Sequence, residues 1–231
     1  MRSSSTPINP AASSAPRRRR APAPEPIIQR LPLYLSSLRE LLAAGRTYAS
    51  SDELGALVGV CGALVRSDLA HFGAFGVRGL GYEVSSLAAA LERVLGGNRQ
   101  WDVVLIGAGD LGCALVLSEW FQDSAFRLTA IFDCNSDHVG RTVGNFVVGP
   151  LSDAPCWVRE YKVKVAILAV RSACAQKAAD LLAAAGVRVI LNYTPRILSL
   201  PPHVRTAQLN PVALLQEMVC QLNDDTDASS G

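Results

Sequence analysis

Long apolar runs are missing from this 231-residue chain. A membrane-spanning helix needs about 18 apolar residues in succession. The nearest approach, VVLIGAGDLGCALVL, is broken by Asp110 and three glycines, so no membrane span is expected. No hydrophobic segment backs the RRRR run at Arg17–Arg20, so no secretion signal is read there and a cytoplasmic location is expected. Cysteine pairs of CxxC spacing are absent as well. The six cysteines (Cys61, Cys113, Cys134, Cys156, Cys174, Cys220) are scattered and read as buried thiols, with no disulfide frame and no metal site. Charged residues make up only 18% of the chain against 49% hydrophobic ones, which excludes a disordered protein and supplies a core for one or two domains.

What charge there is sits unevenly. Residues 1–26 hold five arginines against Glu25 and six of the thirteen prolines, which leaves seventeen basic and nineteen acidic residues for the remainder. Such a Pro/Ser/Ala stretch cannot offset its ordering entropy by burial and reads as a disordered basic tail, its arginines either attracting phosphates or merely solubilising. Residues 224–231, with Asp224, Asp225 and Asp227, read as a second frayed tail.

From residue 27 to about 84 the pattern is helical and then glycine-rich. Leu31, Leu35, Leu38 and Leu42 mark one face of a helix that stops at Gly45, with Pro32 expected in its first turn. Ser50 and Glu53 are spaced as a capping box for a short helix ending near Gly59. CGALVRSDLAHF then gives a helix with Val65, Leu69 and Phe72 on one side and Arg66, Ser67 and Ala70 elsewhere. Helix, short helix, turn and helix is the outline of a helix-turn-helix. The glycines at 73, 76, 79 and 81, with Arg78 expected at the tip, add a tight hairpin that suits a wing. Arg66 and Ser67 on the helix and Arg78 on the wing are the candidate DNA-contacting residues. The segment is neutral, five basic residues against five acidic, so DNA contact and protein contact both stand as readings of the pattern.

Residues 85–210 alternate strand and helix, beginning with a helix through Leu87, Leu91 and Val94. The strand Val103–Ile106 runs into Gly107-Ala108-Gly109-Asp110-Leu111-Gly112 and then a helix. In that setting GxGxxG points to a dinucleotide: Gly107 for the turn, Gly109 for approach of the pyrophosphate, Gly112 for helix-on-strand packing. The helix amino end offers free N–H groups to the phosphates. A second strand, Leu128–Phe132, ends in Asp133, placed to accept a ribose diol; no arginine follows directly, which favours NAD(H) over NADP(H). A glycine-tight turn without ligand is the other reading. Strands at Val165–Val170 and Val187–Leu191 continue a doubly wound parallel sheet, whose ligand edge should carry Ala169, Val170, Arg171 and Asn192. The three histidines, His71, His138 and His203, suggest no proton relay for hydride transfer. No catalytic residue is expected.

A winged helix followed by a Rossmann-like domain, in these words, resembles the Rex family of redox-sensing transcriptional repressors. The resemblance is carried by RLPLYL (30–35), VRSDLAHFGAFGVRGLGYEV (65–84), GAGDLGCAL (107–115), FDCNSDHVG (132–140), AQKAADLLAAAG (175–186) and LNYTPRILSLP (191–201). It implies a homodimer on double-stranded operator DNA that NAD(+) permits and NADH releases. It also implies a last helix, here residues 211–223, exchanged between subunits. Departures from the family pattern are Ser36, Ser67, Ser118, Arg171, Asn210 and Pro211. An ion pair between the family positions of Ser36 and Asn210 would have lost both halves. The resemblance therefore leaves two readings, an ordinary NADH sensor or a paralogue with an altered response. A small NAD(P)- or CoA-binding enzyme, or a scaffold that contacts protein through its winged helix, are the alternatives of other classes.

Overall fold

The computed structural model describes residues 23–97, 99–121 and 124–228. Most of the expected basic tail and the last three residues lie outside that set. The chain divides into two units, through Leu95 and from Gly96 onward.

The first unit is built on four helices and a small sheet. α1 (Glu25–Ala43) starts at Pro24 as N-cap, well before the expected Leu31, and reaches into the segment expected as tail. Pro32 therefore falls inside the helix and not in its first turn, a place taken by Pro26. The apolar face decides this: Ile27 is buried with Leu31, Tyr34, Leu35 and Leu38, and that burial outweighs the missing N–H. β1 (Tyr48–Ala49) follows. α2 (Ser51–Val58) opens on the capping box, Ser50 Oγ accepting from Glu53 N–H at 3.0 Å, and closes on Gly59 at φ +76°. α3 (Gly62–Ala70) turns Val65, Asp68 and Leu69 inward and leaves Arg66, Ser67 and Ala70 exposed. β2 (Gly76–Val77) and β3 (Gly81–Glu83) form the hairpin, and β1 pairs antiparallel with β3.

α4 (Val84–Val94) belongs with this unit, not with the second one as its place in the sequence suggested. Its Val84, Leu87, Ala88 and Leu91 complete the core of Leu31, Tyr34, Leu54 and Leu69.

The second unit opens with β4 (Trp101–Ile106) and α5 (Asp110–Leu117). β5 (Phe126–Asp133), the hairpin β6 (Thr142–Val143) and β7 (Phe146–Val147), and β8 (Gly149–Pro150) come next. α6 (Ala154–Glu160), β9 (Val165–Leu168), α7 (Ser172–Ala185), β10 (Val189–Asn192), β11 (Arg205–Gln208) and α8 (Pro211–Ala228) complete it. The six-stranded sheet runs β11-β10-β9-β4-β5-β8, with every pair parallel. Alternate residues of β4 feed the two faces: Val104 and Ile106 enter one cluster with α7, while Val103 and Leu105 enter the other with Leu115 of α5. Strand order reverses between β4 and β9, and Ile106 lies level with Phe132 and Leu168. The loops after these three strands therefore share one edge, where doubly wound sheets bind ligands.

α8 runs to Ala228, past the expected end near residue 223. Neither glycine nor proline interrupts it after Pro211. Asn210 Oδ1 accepts from the N–H groups of Val212 and Ala213 at 3.1 and 3.4 Å, with Pro211 fitting the first helical position. Asparagine there caps the helix as aspartate would. Among the described residues no helix is long and apolar enough to cross a membrane.

Candidate functional site

β4 delivers the glycine loop to the sheet edge. Gly107 sits at φ +112°, and a side chain on it would strike the Ala169 carbonyl of the loop after β9. A Cβ on Gly112 would strike the Gly107 carbonyl, so this glycine lets α5 lie against its own strand. Gly109 differs: its backbone is extended (φ −75°, ψ −170°) and a Cβ there meets nothing within 4 Å. It is the N-cap of α5 and makes no side-chain cap, so the first turn presents N–H groups toward open space.

Asp133, at the end of β5, is buried with its carboxylate heavily engaged. Oδ2 accepts from Ala108 N–H at 2.6 Å and contacts His138 Nδ1 at 2.8 Å, and Oδ1 accepts from Asn135 N–H at 2.7 Å. Burial alone would raise its pKa, but these hydrogen bonds outweigh it and hold the carboxyl below the ordinary value. A carboxylate has about four acceptor positions; three are taken, and the last is on Oδ1. Asp133 thus pins the glycine loop as well as facing the crevice.

A cavity of about 350 Å³ lies at this edge, lined by Gly109, Asp110, Asp133, Cys134, Asn135, His138, Ala169, Val170 and Arg171. A second, of about 700 Å³, shares Asp133 and Cys134 with it and extends to Ser136, Ser152 and, on α7, Lys177 and Leu181. Both fall in the range of small-molecule sites. Of the residues expected here, Ala108 is buried and contributes its N–H to Asp133, while Leu111 points outward, 46% exposed. Asn192 is not on the crevice. It is buried, donating from Nδ2 to the Arg196 carbonyl and accepting at Oδ1 from Thr194 N–H and Oγ1, because strand β10 turns its last side chain inward to fix the following loop. Asn135 and His138 were missed as site residues; the Asp133-x-Asn135-x-x-His138 spacing after a strand was their only signal.

None of the six cysteines is buried: Cys61, Cys134, Cys156 and Cys220 are exposed, Cys113 and Cys174 half-buried. The expectation of inert core thiols is corrected, since the core is filled by valine, leucine and alanine. Among the described residues no cluster of His, Cys, Asp or Glu could hold a metal ion.

In the first unit Arg66 and Arg78 share one cavity of about 540 Å³, between α3, the start of α2 and the wing. Arg66 Nη1 donates to Ser51 Oγ at 2.5 Å and lies 3.9 Å from Asp52. Arg78 is exposed at the turn between β2 and β3, while Ser67 is exposed on α3 but does not line this cavity. Two arginines lining one groove, one of them held by a serine, suit a phosphodiester.

A winged helix joined to a Rossmann-type unit with an open glycine loop defines a nucleotide-responsive DNA-binding protein as the class. Residues 98–196 match the model of the CoA binding domain and residues 23–70 that of the putative DNA-binding protein N-terminus. The redox-sensing transcriptional repressor Rex of Chloroflexus aggregans is 44% identical over 199 residues, 86% of this chain and 94% of that protein. Rex of Roseiflexus sp. is 39% identical over 206 residues, 89% of this chain and 94% of its own length. The structure of RSP in complex with β-NAD+ and operator DNA is similar at a TM-score of 0.83 and 31% identity, covering 91% of this chain and 97% of that one. RSP with β-NADH gives 0.81 and 30%, covering 90% and 98%. The chain belongs to the Rex family of redox-sensing transcriptional repressors, which are not enzymes.

Proposed function

We propose that this protein is a cytoplasmic homodimeric repressor that holds NAD(H) in the crevice at Gly109 and Asp133 and releases its operator when NADH replaces NAD(+). The observation that carries the reading is the unblocked Gly109 turn beside a buried carboxylate, in a chain whose relatives are redox-sensing repressors. The first-turn N–H groups of α5 receive the pyrophosphate, and Asp133 Oδ1 takes a hydroxyl of the adenosine ribose. Gly107 and Gly112 shape the loop, and Ala169 and Val170 form its opposite wall. Arg66 and Arg78 contact DNA, with Ser67 on the exposed side of the same helix. The Asn210 cap keeps the end of α8 intact, which favours the ordinary NADH sensor over an altered response.

The test is a gel shift on operator DNA with each dinucleotide. NAD(+) is expected to leave the complex in place and NADH to dissolve it; equal binding with both sinks the sensor reading, because a ligand held equally by two states shifts neither. Arg78→Ala is expected to weaken all DNA sequences alike, about tenfold, and to lower the salt slope by about one. Arg66→Ala is expected to change sequence preference as well.

The homodimer places α8 against a second copy. Val212, Leu215 and Val219 recur at helical spacing and Leu214 and Met218 flank them, all more than half exposed. An 18-residue helix with such a face needs a cover, and a twofold partner supplies the same helix in return. Leu215→Glu with Val219→Glu is expected to convert the dimer to monomer in light scattering.

A further inference from the structure

The glycine turn faces a second wall of the crevice. Ala169 N–H, just after β9, donates to the Ile106 carbonyl at 2.8 Å, and a side chain on Gly107 would strike the backbone of both Ala169 and Val170. The loop after β9 is therefore tied to the end of β4, and Arg171 follows in the next position. Arg171 is the N-cap of α7: its carbonyl accepts from Cys174 N–H at 2.9 Å, while its side chain makes no cap. The backbone is fixed and the side chain is spare. Among the described residues no ion pair or side-chain hydrogen bond engages Arg171, which is exposed and lines the cavity of about 350 Å³ together with Gly109 and Asp110.

Charge gives that side chain its importance. Asp110, in the first turn of α5, lines the cavity, and so does Asp133, whose carboxyl is held below the ordinary value. His138, also on the wall, is engaged with Asp133 through Nδ1 at 2.8 Å. Arg171 is the one lysine or arginine among the lining residues. Without it a dinucleotide diphosphate, itself doubly negative, would enter a space bounded by two carboxylates with only N–H dipoles to hold it. The guanidinium cancels one of those carboxylate charges and offers a planar fork of donors to phosphate oxygens.

We propose that Arg171 is the cationic clamp for the diphosphate of the ligand, meeting it from the β9 side, opposite the first turn of α5. The inference rests on the dinucleotide reading above and assigns a further residue to that site. NAD(+) and NADH share the diphosphate and differ at the nicotinamide, so a clamp there tightens both alike. It fixes the total dinucleotide concentration at which the crevice fills, and it leaves the redox ratio to contacts at the nicotinamide end.

The experiment uses the full chain and titrates NADH by fluorescence, with NAD(+) and ADP-ribose measured by displacement of NADH, at several salt concentrations. Arg171→Ala is expected to weaken all three ligands by a common factor of about ten, the share of one charge-assisted contact. Arg171→Lys should stay within about threefold of wild type, and Arg171→Glu should lose about 100-fold, in the order of side-chain charge. Wild-type affinity should fall with salt more steeply than that of Arg171→Ala, and the melting temperature of the free protein should be the same in both. Asp110→Asn, which removes a repulsion from the same cavity, should tighten all three ligands. Arg171→Ala binding as tightly as wild type overturns the clamp, as does a loss confined to NADH and NAD(+) with ADP-ribose untouched, which would put the arginine at the nicotinamide. A loss that ignores charge order and salt and comes with a lowered melting temperature overturns it too, in favour of a structural role. A wild type that binds none of the three ligands refutes the dinucleotide reading itself, whereas equal binding by wild type and Arg171→Ala refutes the clamp alone.

Discussion

Gly109→Val is expected to weaken dinucleotide binding by 100-fold or more and to leave the fold nearly untouched, whereas Gly112→Val, three residues on, should act chiefly through a loss of stability. The two glycines belong to one motif but answer to different neighbours. At Gly109 the backbone is extended, a conformation valine adopts, and no atom lies within 4 Å of the new Cβ. A β-branched N-cap costs up to about 1 kcal/mol. The added methyl groups stand where the pyrophosphate must come close, and removing two charge-assisted N–H contacts at roughly 1.5–3 kcal/mol each accounts for a loss of 100-fold or more. At Gly112 the Cβ runs into the Gly107 carbonyl, which is backbone and not the yielding end of a side chain. Overpacking there costs about 3 kcal/mol, lowering Tm by roughly 5–10 °C. NADH titration and a thermal melt of each variant check both halves. Wild-type affinity in Gly109→Val would place the phosphates elsewhere.

The parts of this molecule legible in the sequence are those whose signal is local. Ser50 and Glu53 lie three residues apart, and the capping box they announce is present. The GAGDLG turn, with a strand before and a helix after, places the crevice, and the glycines after α3 announce the hairpin. What escaped depends on distant partners. β11 is exposed along its whole length and has no alternation to read; backbone pairing with β10 makes it a strand. α4 follows a wing and precedes a Rossmann strand, and only packing on α1 decides its side. Asn192 looks like a crevice residue because it ends a parallel strand, yet its amide is spent on the next four residues. The engagement of Asp133 by Ala108 N–H crosses 25 residues.

Asp68→Ala is expected to destabilise the winged helix by about 3 kcal/mol. Arg30 and Tyr34, one turn apart on α1, converge on this carboxylate: Arg30 Nε and Nη2 donate at 2.7 and 2.8 Å, and Tyr34 Oη at 2.8 Å. Asp68 is 1% exposed and Tyr34 wholly buried, so the cluster joins α3 to α1 from within. Removing one member strands the others: the Tyr34 hydroxyl cannot reach water, while Arg30, whose side chain is 24% exposed, partly rehydrates and moderates the loss. A unit of this size holds only several kcal/mol in all, so the loss is a large share of it. The pH dependence follows from the same contacts. Burial pushes the Asp68 carboxyl up, the hydrogen bonds from Arg30 and Tyr34 pull it down further, and the net lies below the ordinary value. A depressed carboxyl contributes stability that is complete above the unfolded-chain value of about 4 and is lost as pH falls through the folded one. Urea unfolding at neutral pH should separate wild type from Asp68→Ala widely, and the gap should shrink in acid. Arg66 and Ser67 are exposed on the helix that this buried carboxylate anchors, so operator affinity should fall with stability although Asp68 itself faces the core. A variant as stable as wild type would mean that core packing alone holds the recognition helix in place.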